Sequence, residues 1–162
     1  MSRVTVLVAF VSLLLAGAIF GFFFAWVCST LWGLDTLPAE TAIAAMQAMN
    51  GSVRNLVFAP AFFGTGPFLL LTALLAWLSH SRGASACFAI AGIAYILGAM
   101  YLTMTINVPM NEALAQVDPA SADASQIWSA YSHDWRYWNG VRTWVSGFTL
   151  LLTGLGIYSL RR

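Results

Sequence analysis

The chain has 162 residues, of which 60% are hydrophobic and only 8% are charged. This composition excludes an ordinary soluble domain and indicates an integral membrane protein. The net charge of +1 gives no basis for nucleic-acid binding, and the two cysteines form no CxxC pair of the kind used in disulfide chemistry.

Four apolar runs are each long enough to cross the membrane as a helix, which takes roughly 20 residues for about 30 Å of hydrocarbon. They cover residues 4–31, 56–78, 84–106 and 140–160. Because these runs occupy most of the chain, residues 1–162 are expected to form one integral membrane domain. The predicted fold class is all-α, a bundle of four transmembrane helices with short extracytoplasmic capping helices.

The arginines set the expected orientation of this bundle. Arg3, Arg82 and the pair Arg161–Arg162 fall at the same end of a four-span topology. The positive-inside rule makes that end cytoplasmic, so both termini are expected in the cytoplasm. The opposite connections, about 32–55 and 107–139, hold all six acidic residues. A bacterial inner membrane suits this arrangement, with the functional loops on the periplasmic side.

The first of these connections is expected to contain a helix from about Pro38 to Asn50. Pro38 suits the first turn, and Glu40 lies near the positive end of the helix dipole. If the helix continues toward the second span, Gln47, Asn50 and Arg54 share one face. Such a polar face indicates a binding site, or, for Arg54, a side chain that reaches back to the lipid head groups.

The third span ends in a polar segment that contains Pro109. Because proline has no backbone N–H and disfavours helix at the preceding residue, the span is expected to break there and a short outer helix to begin. Asn107 and Asn111 flank the break, where each either caps freed backbone groups or projects its amide into a pocket. Glu112 falls in the first turn of the new helix, where a carboxylate is favourable.

The segment from Trp128 to Arg142 carries the most distinctive pattern in the chain. At 3.6 residues per turn, one helical stripe contains Trp128, Tyr131, Trp135, Trp138, Asn139 and Arg142. The stripe is aromatic for two turns and then becomes polar as it enters the fourth apolar run. An arginine at that depth must face protein, water or a ligand.

The topology places these polar and aromatic groups together at one end of the bundle, where they predict a pocket for a flat lipophilic molecule with oxygen atoms. Aromatic walls would stack on its rings, and arginine and amide donors would bind a carbonyl or enolate oxygen. The same residues are also compatible with an aromatic belt at the membrane surface, with ion pairs between Arg54 or Arg142 and Glu112 or Asp134.

A metal site is the weaker interpretation of the same end of the bundle. His80 is expected on the opposite side of the membrane from His133, so the two cannot bind one haem. The remaining ligands are His133, Asp134 and Glu112, whose spacing matches no metal-binding signature. The sequence thus predicts no cofactor, although it does not exclude copper or iron on these three residues.

Four segments together resemble a known family over nearly the whole chain. They are GFFFAW (Gly21–Trp26), AMQAMN followed by Arg54 and Asn55, TxNVPMNEAL (Thr105–Leu114) and WxxYxxxWxxWNxxR (Trp128–Arg142). This combination is similar to the DUF1772 family, also called the anthrone oxygenase family. The resemblance implies a small four-span membrane protein that oxidises an anthrone to an anthraquinone without an organic cofactor.

The resemblance also implies site residues. The family's motif positions are occupied here by Asn50, Arg54, Asn107, Asn111, Trp135, Trp138, Asn139 and Arg142. His133 is not part of the pattern. If the chemistry follows the family, removal of a proton from the substrate gives an electron-rich enolate that can pass an electron to O2.

That chemistry needs a base and a site for the enolate oxygen. Glu112 is the expected base, ahead of Asp134, and Arg54, Arg142, Asn107 and Asn139 are expected to stabilise the oxygen. The expected substrate-binding residues are Gln47, Asn50, Asn111, Trp128, Tyr131, Trp135 and Trp138.

The sequence therefore favours a membrane-embedded oxygenase or oxidase that acts on an anthrone-like or quinol-like aromatic. Its expected partners are the lipid bilayer, the small lipophilic substrate and O2. Two alternatives remain: a lipophile-binding or accessory protein that performs no reaction, and a metal-dependent membrane oxidase. The sequence leaves the substrate and the oligomeric state open.

Overall fold

Five α-helices make up the fold of residues 2–160, which are the residues that the computed structural model describes. Four of them are long: α1 (Arg3–Leu34), α3 (Phe58–Leu78), α4 (Arg82–Leu114) and α5 (Ala124–Leu160). The short helix α2 (Ala39–Ser52) follows α1. The described residues include no strand, and each long helix is apolar enough to cross a membrane. The predicted all-α bundle of four transmembrane helices is confirmed.

The long helices pack as an antiparallel bundle in which α1 and α4 each contact both α3 and α5. Hydrogen bonds join the helices inside the bundle. Ser12 Oγ of α1 and Thr72 Oγ1 of α3 are 2.9 Å apart, and the Tyr95 hydroxyl of α4 donates to the Phe62 carbonyl oxygen of α3 at 2.7 Å. Because lipid tails are as apolar as leucine, such bonds and close packing stabilise helix association in a membrane.

At four glycines, Gly66, Gly92, Gly98 and Gly156, a Cβ atom would lie within 3.0 Å of a side chain on a neighbouring helix. A Cβ atom on Gly66 of α3 would lie 2.6 Å from Ile96 Cγ1 of α4, and one on Gly156 of α5 would lie 2.9 Å from Phe88 Cε2 of α4. Both glycines are buried. Small residues at these crossings therefore set the distance of α4 from its two neighbours.

Helix α2 packs against α5 and the end of α4, at the end of the bundle away from the α3–α4 turn. The buried cluster beneath it contains Leu31, Leu34, Ala42, Ile43, Met46, Leu114, Trp128, Tyr131 and Trp135. The Gln47 amide fixes α2 to α4, because its Nε2 donates to the Leu114 and Val117 carbonyl oxygens at 2.8 and 2.9 Å. Since α2 ends at Ser52, Arg54 lies in the following turn and does not share a helix face with Gln47.

The predicted break of the third span at Pro109 is wrong, because α4 continues to Leu114. Two π-helical stretches, Ile96–Tyr101 and Thr103–Asn107, precede the proline. A π-helical turn is wider and shifts the hydrogen-bond register by one residue. The helical backbone continues through Asn107 into the α-helical segment Val108–Leu114, which has the proline in its first turn and extends the span without a gap.

The start of α1, the α3–α4 turn and the end of α5 lie at one end of the bundle. The Ser81 hydroxyl donates to the Ser159 carbonyl oxygen at 3.5 Å across this end. Arg82 also lies here, with its guanidinium carbon 3.3 Å from the centroid of the Trp77 ring. Arg161 and Arg162, which contributed to the orientation argument, lie outside the described residues.

Candidate functional site

A large cavity lies at the α2 end of the bundle, between α1, α3, α4 and α5 and beside the turn that joins α2 to α3. Its volume is about 1160 Å³. Ligand sites for small molecules are usually about 300–1,000 Å³, so a polycyclic molecule fits inside. We call it the aromatic cavity, because seven of its lining side chains are aromatic: Phe22, Phe23, Trp26, Phe58, Phe62, Phe63 and Trp135.

Two ring contacts shape these walls. The Trp26 and Trp135 rings pack at 4.8 Å between centroids and join α1 to α5. The Phe22 and Phe58 rings pack at 4.7 Å and join α1 to α3. The cavity is therefore bounded by rings that can stack against a flat aromatic ligand.

Arg142 is the main polar group in this apolar surrounding. It lines the cavity from α5 and is only 4% exposed. Its guanidinium carbon lies 4.6 Å from the Phe23 ring centroid and 5.2 Å from that of Trp135, both within cation–π range. Among residues 2–160 it forms no ion pair with a carboxylate. The positive charge inside the cavity is therefore not compensated by the described part of the protein.

Two side chains hold the Arg142 guanidinium in place. Nη1 donates to Thr103 Oγ1 of α4 at 3.2 Å, and Nη2 donates to Asn139 Oδ1 at 3.0 Å. Asn139 in turn donates from Nδ2 to the Phe23 carbonyl oxygen at 3.1 Å. Both ends of the Asn139 amide are thus engaged within the protein. Asn139, which is predicted to bind the enolate oxygen, thus holds the Arg142 guanidinium.

A hydrogen-bonded network lies between Arg142 and α2. Asn111 Oδ1 accepts from the Tyr131 hydroxyl at 2.8 Å and from Trp135 Nε1 at 3.0 Å, and Asn50 Nδ2 donates to the Tyr131 oxygen at 3.4 Å. Asn50, Asn111 and Trp135, which are predicted to bind the substrate, line the cavity, whereas Tyr131 does not. Of the two roles considered for Asn111, the structure shows the pocket and no backbone cap.

Arg54 and Glu112 also line the cavity, at its exposed rim. Arg54 Nη2 lies 3.4 Å from Glu112 Oε1, and both side chains are 60% exposed. This is one of the ion pairs that the sequence indicated as an alternative to a ligand site. A pair this exposed contributes little to stability. Because Glu112 is largely exposed and lines the cavity, its carboxylate is accessible from the cavity.

Asn107 lies deeper on α4, 0% exposed, and does not reach the cavity wall. Neither its Nδ2 nor its Oδ1 has a hydrogen-bond partner among the described residues, and the same holds for Arg142 Nε. Unpaired buried polar atoms are rare in native proteins, because leaving one unpaired costs about 1–3 kcal/mol.

Besides Tyr131, three residues predicted to contact the substrate do not line the cavity. Gln47 bonds to the end of α4, Trp138 packs edge-on against Tyr137 at 5.1 Å, and Trp128 Nε1 donates to Asp35 Oδ1 at 3.1 Å. Both tryptophans lie on α5, but Trp128 contacts the end of α1 whereas Trp138 packs against its neighbour on the same helix.

Asp35 and Arg136 form a structural contact that the sequence reasoning missed. Asp35, at the end of α1, accepts from Ser132 Oγ at 2.7 Å as well as from Trp128 Nε1, and it forms an ion pair with Arg136. We call this group the Asp35 clasp. It joins the end of α1 to α5, across about a hundred residues of sequence.

The three residues named for a metal are not brought together. Within residues 2–160 no group of three or more His, Cys, Asp or Glu side chains is placed to bind one ion. His133 Nδ1 lies 2.9 Å from Asp134 Oδ1, but these side chains are 85% and 66% exposed. Glu112 instead pairs with Arg54, because α4 directs it to the rim of the aromatic cavity.

Comparison with protein families gives one match that covers most of this site. The anthrone oxygenase family model matches residues 55–152, which include the lining residues from α3, α4 and α5. The cavity walls from α1 and α2 lie outside the matched region. No curated protein and no solved structure shows significant similarity to the chain. Because the matched region covers more than half of the sequence, the chain belongs to the anthrone oxygenase family.

Proposed function

We propose that the protein is a membrane-embedded oxygenase that oxidises a lipophilic aromatic molecule, anthrone-like or quinol-like, inside the aromatic cavity. Family membership supports an oxygenase-like role, and the four apolar helices make it an integral membrane protein. The observation that carries the proposal is Arg142, a buried guanidinium without a carboxylate partner among the described residues, set in a cavity with aromatic walls.

The electrostatics of Arg142 favour a ligand that becomes negatively charged. A buried charge is costly unless it is paired, and an enolate oxygen would supply the pairing charge within the cavity. Because the neutral substrate gains this charge only when it loses a proton, the interaction strengthens along the reaction. Such differential stabilisation lowers the barrier to proton removal.

The reaction can be written with its atoms and electrons balanced. Glu112 takes one proton from the CH2 group of the anthrone, and the enolate passes one electron to O2. The resulting carbon radical and superoxide join through a new C–O bond, and the peroxide takes up a proton. Loss of the second C–H proton then breaks the O–O bond and releases water. One anthrone and one O2 give one anthraquinone and one water.

The positions of Glu112 and Arg142 fit this division of roles. Thr103, which holds Arg142, and Glu112 lie nine residues apart on α4, or roughly 14 Å along the helix. In an anthrone the acidic carbon and the carbonyl oxygen lie at opposite positions of the central ring. A substrate between the two groups therefore turns its CH2 toward the rim and its oxygen toward the interior.

The charges of the chain support a particular placement in the membrane. We propose that the bundle end with Arg3 and Arg82 faces the cytoplasm of a bacterial inner membrane, which puts the rim of the aromatic cavity on the periplasmic side.

Oxygen consumption by the purified protein tests the proposed reaction. With emodin anthrone as substrate, we expect one O2 to be consumed for each anthraquinone formed, at a rate proportional to protein concentration. Metal content is measured on the same sample. Anthrone binding without oxygen consumption would favour a lipophile-binding or accessory protein, and activity that follows stoichiometric copper or iron would favour a metal-dependent oxidase. Either result overturns the proposed mechanism.

A further inference from the structure

Asn107 and Arg142 Nε lie at matching levels of neighbouring helices. The antiparallel pairing of α4 and α5 is fixed by Thr103 with Arg142 and by Asn111 with Trp135. Asn107 lies midway between Thr103 and Asn111 on α4, and these three residues recur every four positions. It is therefore at the level of the α5 turn between Trp135 and Arg142, the turn whose Asn139 accepts from the Arg142 guanidinium.

This level contains two unpaired donors, one unpaired acceptor and an uncompensated positive charge. The donors are Arg142 Nε and Asn107 Nδ2, and the acceptor is Asn107 Oδ1, all buried. The other two guanidinium nitrogens already donate to Thr103 and Asn139. A small ligand that accepts two hydrogen bonds and carries one negative charge would satisfy these donors. The acceptor on Asn107 would also suit the protonated form of such a ligand.

We propose that Asn107 and Arg142 Nε form a binding site for a small monovalent oxygen anion, separate from the wall on which the aromatic substrate stacks. Given the function proposed above, the anion is superoxide, formed when the enolate passes one electron to O2. Electron transfer moves the negative charge from the enolate to O2, where the two unpaired donors, Arg142 Nε and Asn107 Nδ2, stabilise it. Asn107 then acts on the oxygen molecule and not on the enolate.

Anion binding can be measured without any aromatic substrate. The probe is azide, and the signal is the ¹⁵N–¹H resonance of Arg142 Nε in protein labelled on arginine, assigned by its loss in Arg142→Lys. We expect a saturable shift in the unmodified protein. In Asn107→Leu, which has a similar volume and no amide, the apparent Kd should rise about tenfold, the equivalent of one hydrogen bond to a charged group.

Asn107→Asp provides a second variant of nearly the same shape. Its carboxylate supplies a counter-ion to Arg142 within the protein, so the azide-dependent shift should disappear. Thr105→Val is the matched control, because Thr105 is exposed on the same π-helical stretch and its hydroxyl donates to the Tyr101 carbonyl oxygen. The proposed site would be overturned if the unmodified protein showed no saturable shift. It would also be overturned if Asn107→Leu and Asn107→Asp bound azide as tightly as the unmodified protein.

Kinetics then connect this site to the proposed reaction. In Asn107→Leu we expect the KM for O2 to rise about tenfold while the KM for the anthrone stays unchanged. An equal rise in both constants would show that Asn107 acts on the aromatic substrate and would refute the assignment to superoxide. If the unmodified protein binds azide but oxidises no anthrone, the proposed function fails while the anion site stands.

Discussion

Arg136 and Arg142 are six residues apart on α5, and their surroundings differ sharply. Arg136 is half exposed and pairs with Asp35 in the clasp, whereas Arg142 is buried among rings without a carboxylate. Removing Arg136 breaks its ion pair with Asp35, which stabilises the folded state. Removing Arg142 eliminates a buried charge, whose desolvation is unfavourable to folding. The two arginines should therefore separate stability from activity.

Replacement of Arg142 with glutamine is expected to lower kcat for the anthrone by about 10²–10³-fold, as for the loss of an oxyanion-stabilising donor. The melting temperature in detergent should change little. In Arg136→Gln we expect the reverse, with activity retained and stability reduced by about 1 kcal/mol. Equal losses of activity and melting temperature in Arg142→Gln would mean that Arg142 is structural.

Glu112→Gln tests the proposed base at the rim of the cavity. The amide cannot take a proton, so kcat should fall by about 10²–10⁴-fold while the KM for the anthrone is maintained. Asp134→Asn is the control, because that carboxylate is exposed beside His133 and does not line the cavity. Full activity in Glu112→Gln, or a larger loss of activity in Asp134→Asn, would mean that a group other than Glu112 is the base.

Among the elements, the helices were predictable from apolar length because the hydrocarbon thickness fixes how many residues a span needs. Partners distant in sequence were not predictable. The helical stripe indicated that Trp128 and Trp135 share a face of α5, but one bonds to Asp35 and the other lines the cavity. The walls from α1 were also missed, since Phe22 and Phe23 carry no polar pattern that distinguishes a cavity from lipid.

The error at Pro109 has a local cause. Proline disfavours an α-helical turn, and the sequence reasoning assumed that the only alternative was a break. In the structure the helix neither stays α-helical nor breaks before the proline. It widens into the π-helical stretch Thr103–Asn107 and then continues. Thr103, Asn107 and Asn111 are four residues apart in sequence, and the wider turn favours their lying along one side of α4, the side on which Thr103 and Asn111 contact α5.

The close approach of α4 and α5 at Gly156 gives a prediction about stability. In Gly156→Ala the new methyl group would press on the fully buried Phe88 ring, an overpacking that costs about 1–3 kcal/mol. Gly154→Ala is the matched control, because nothing lies within 4 Å of a Cβ at that position. Thermal unfolding in detergent should show a lower midpoint for Gly156→Ala alone. Equal midpoints would contradict the packing of these helices.

At the scale of the whole molecule, the proposed orientation predicts which loops an impermeant reagent reaches. In a background with Cys28→Ala and Cys87→Ala, a charged maleimide added to intact cells should label Asp123→Cys, in the α4–α5 turn. It should label Gly83→Cys, at the other end of the bundle, only after the cells are permeabilised. The opposite pattern would place the rim of the cavity in the cytoplasm.

The shape of the cavity indicates how a lipophilic substrate enters. Its lining includes Ala18 of α1 and Phe63 of α3, both exposed on the bundle surface that faces lipid. Ala18 lies eight residues before Trp26, or about 12 Å deeper along α1. Hence the cavity opens sideways between α1 and α3 below its polar rim, and we expect the substrate to enter from the bilayer.

Obstruction of this opening should slow binding without altering the chemical step. In Ala18→Trp, measured in lipid nanodiscs, we expect a lower kcat/KM for the anthrone at an unchanged kcat, because the indole partly fills the gap beside Phe63. Leu14→Trp is the control, since Leu14 is exposed one turn away on α1 and does not line the cavity. If both variants keep the original kcat/KM, the substrate enters by the polar rim instead. In that case mutations at Arg54 would change the association rate, because its side chain lies at that mouth.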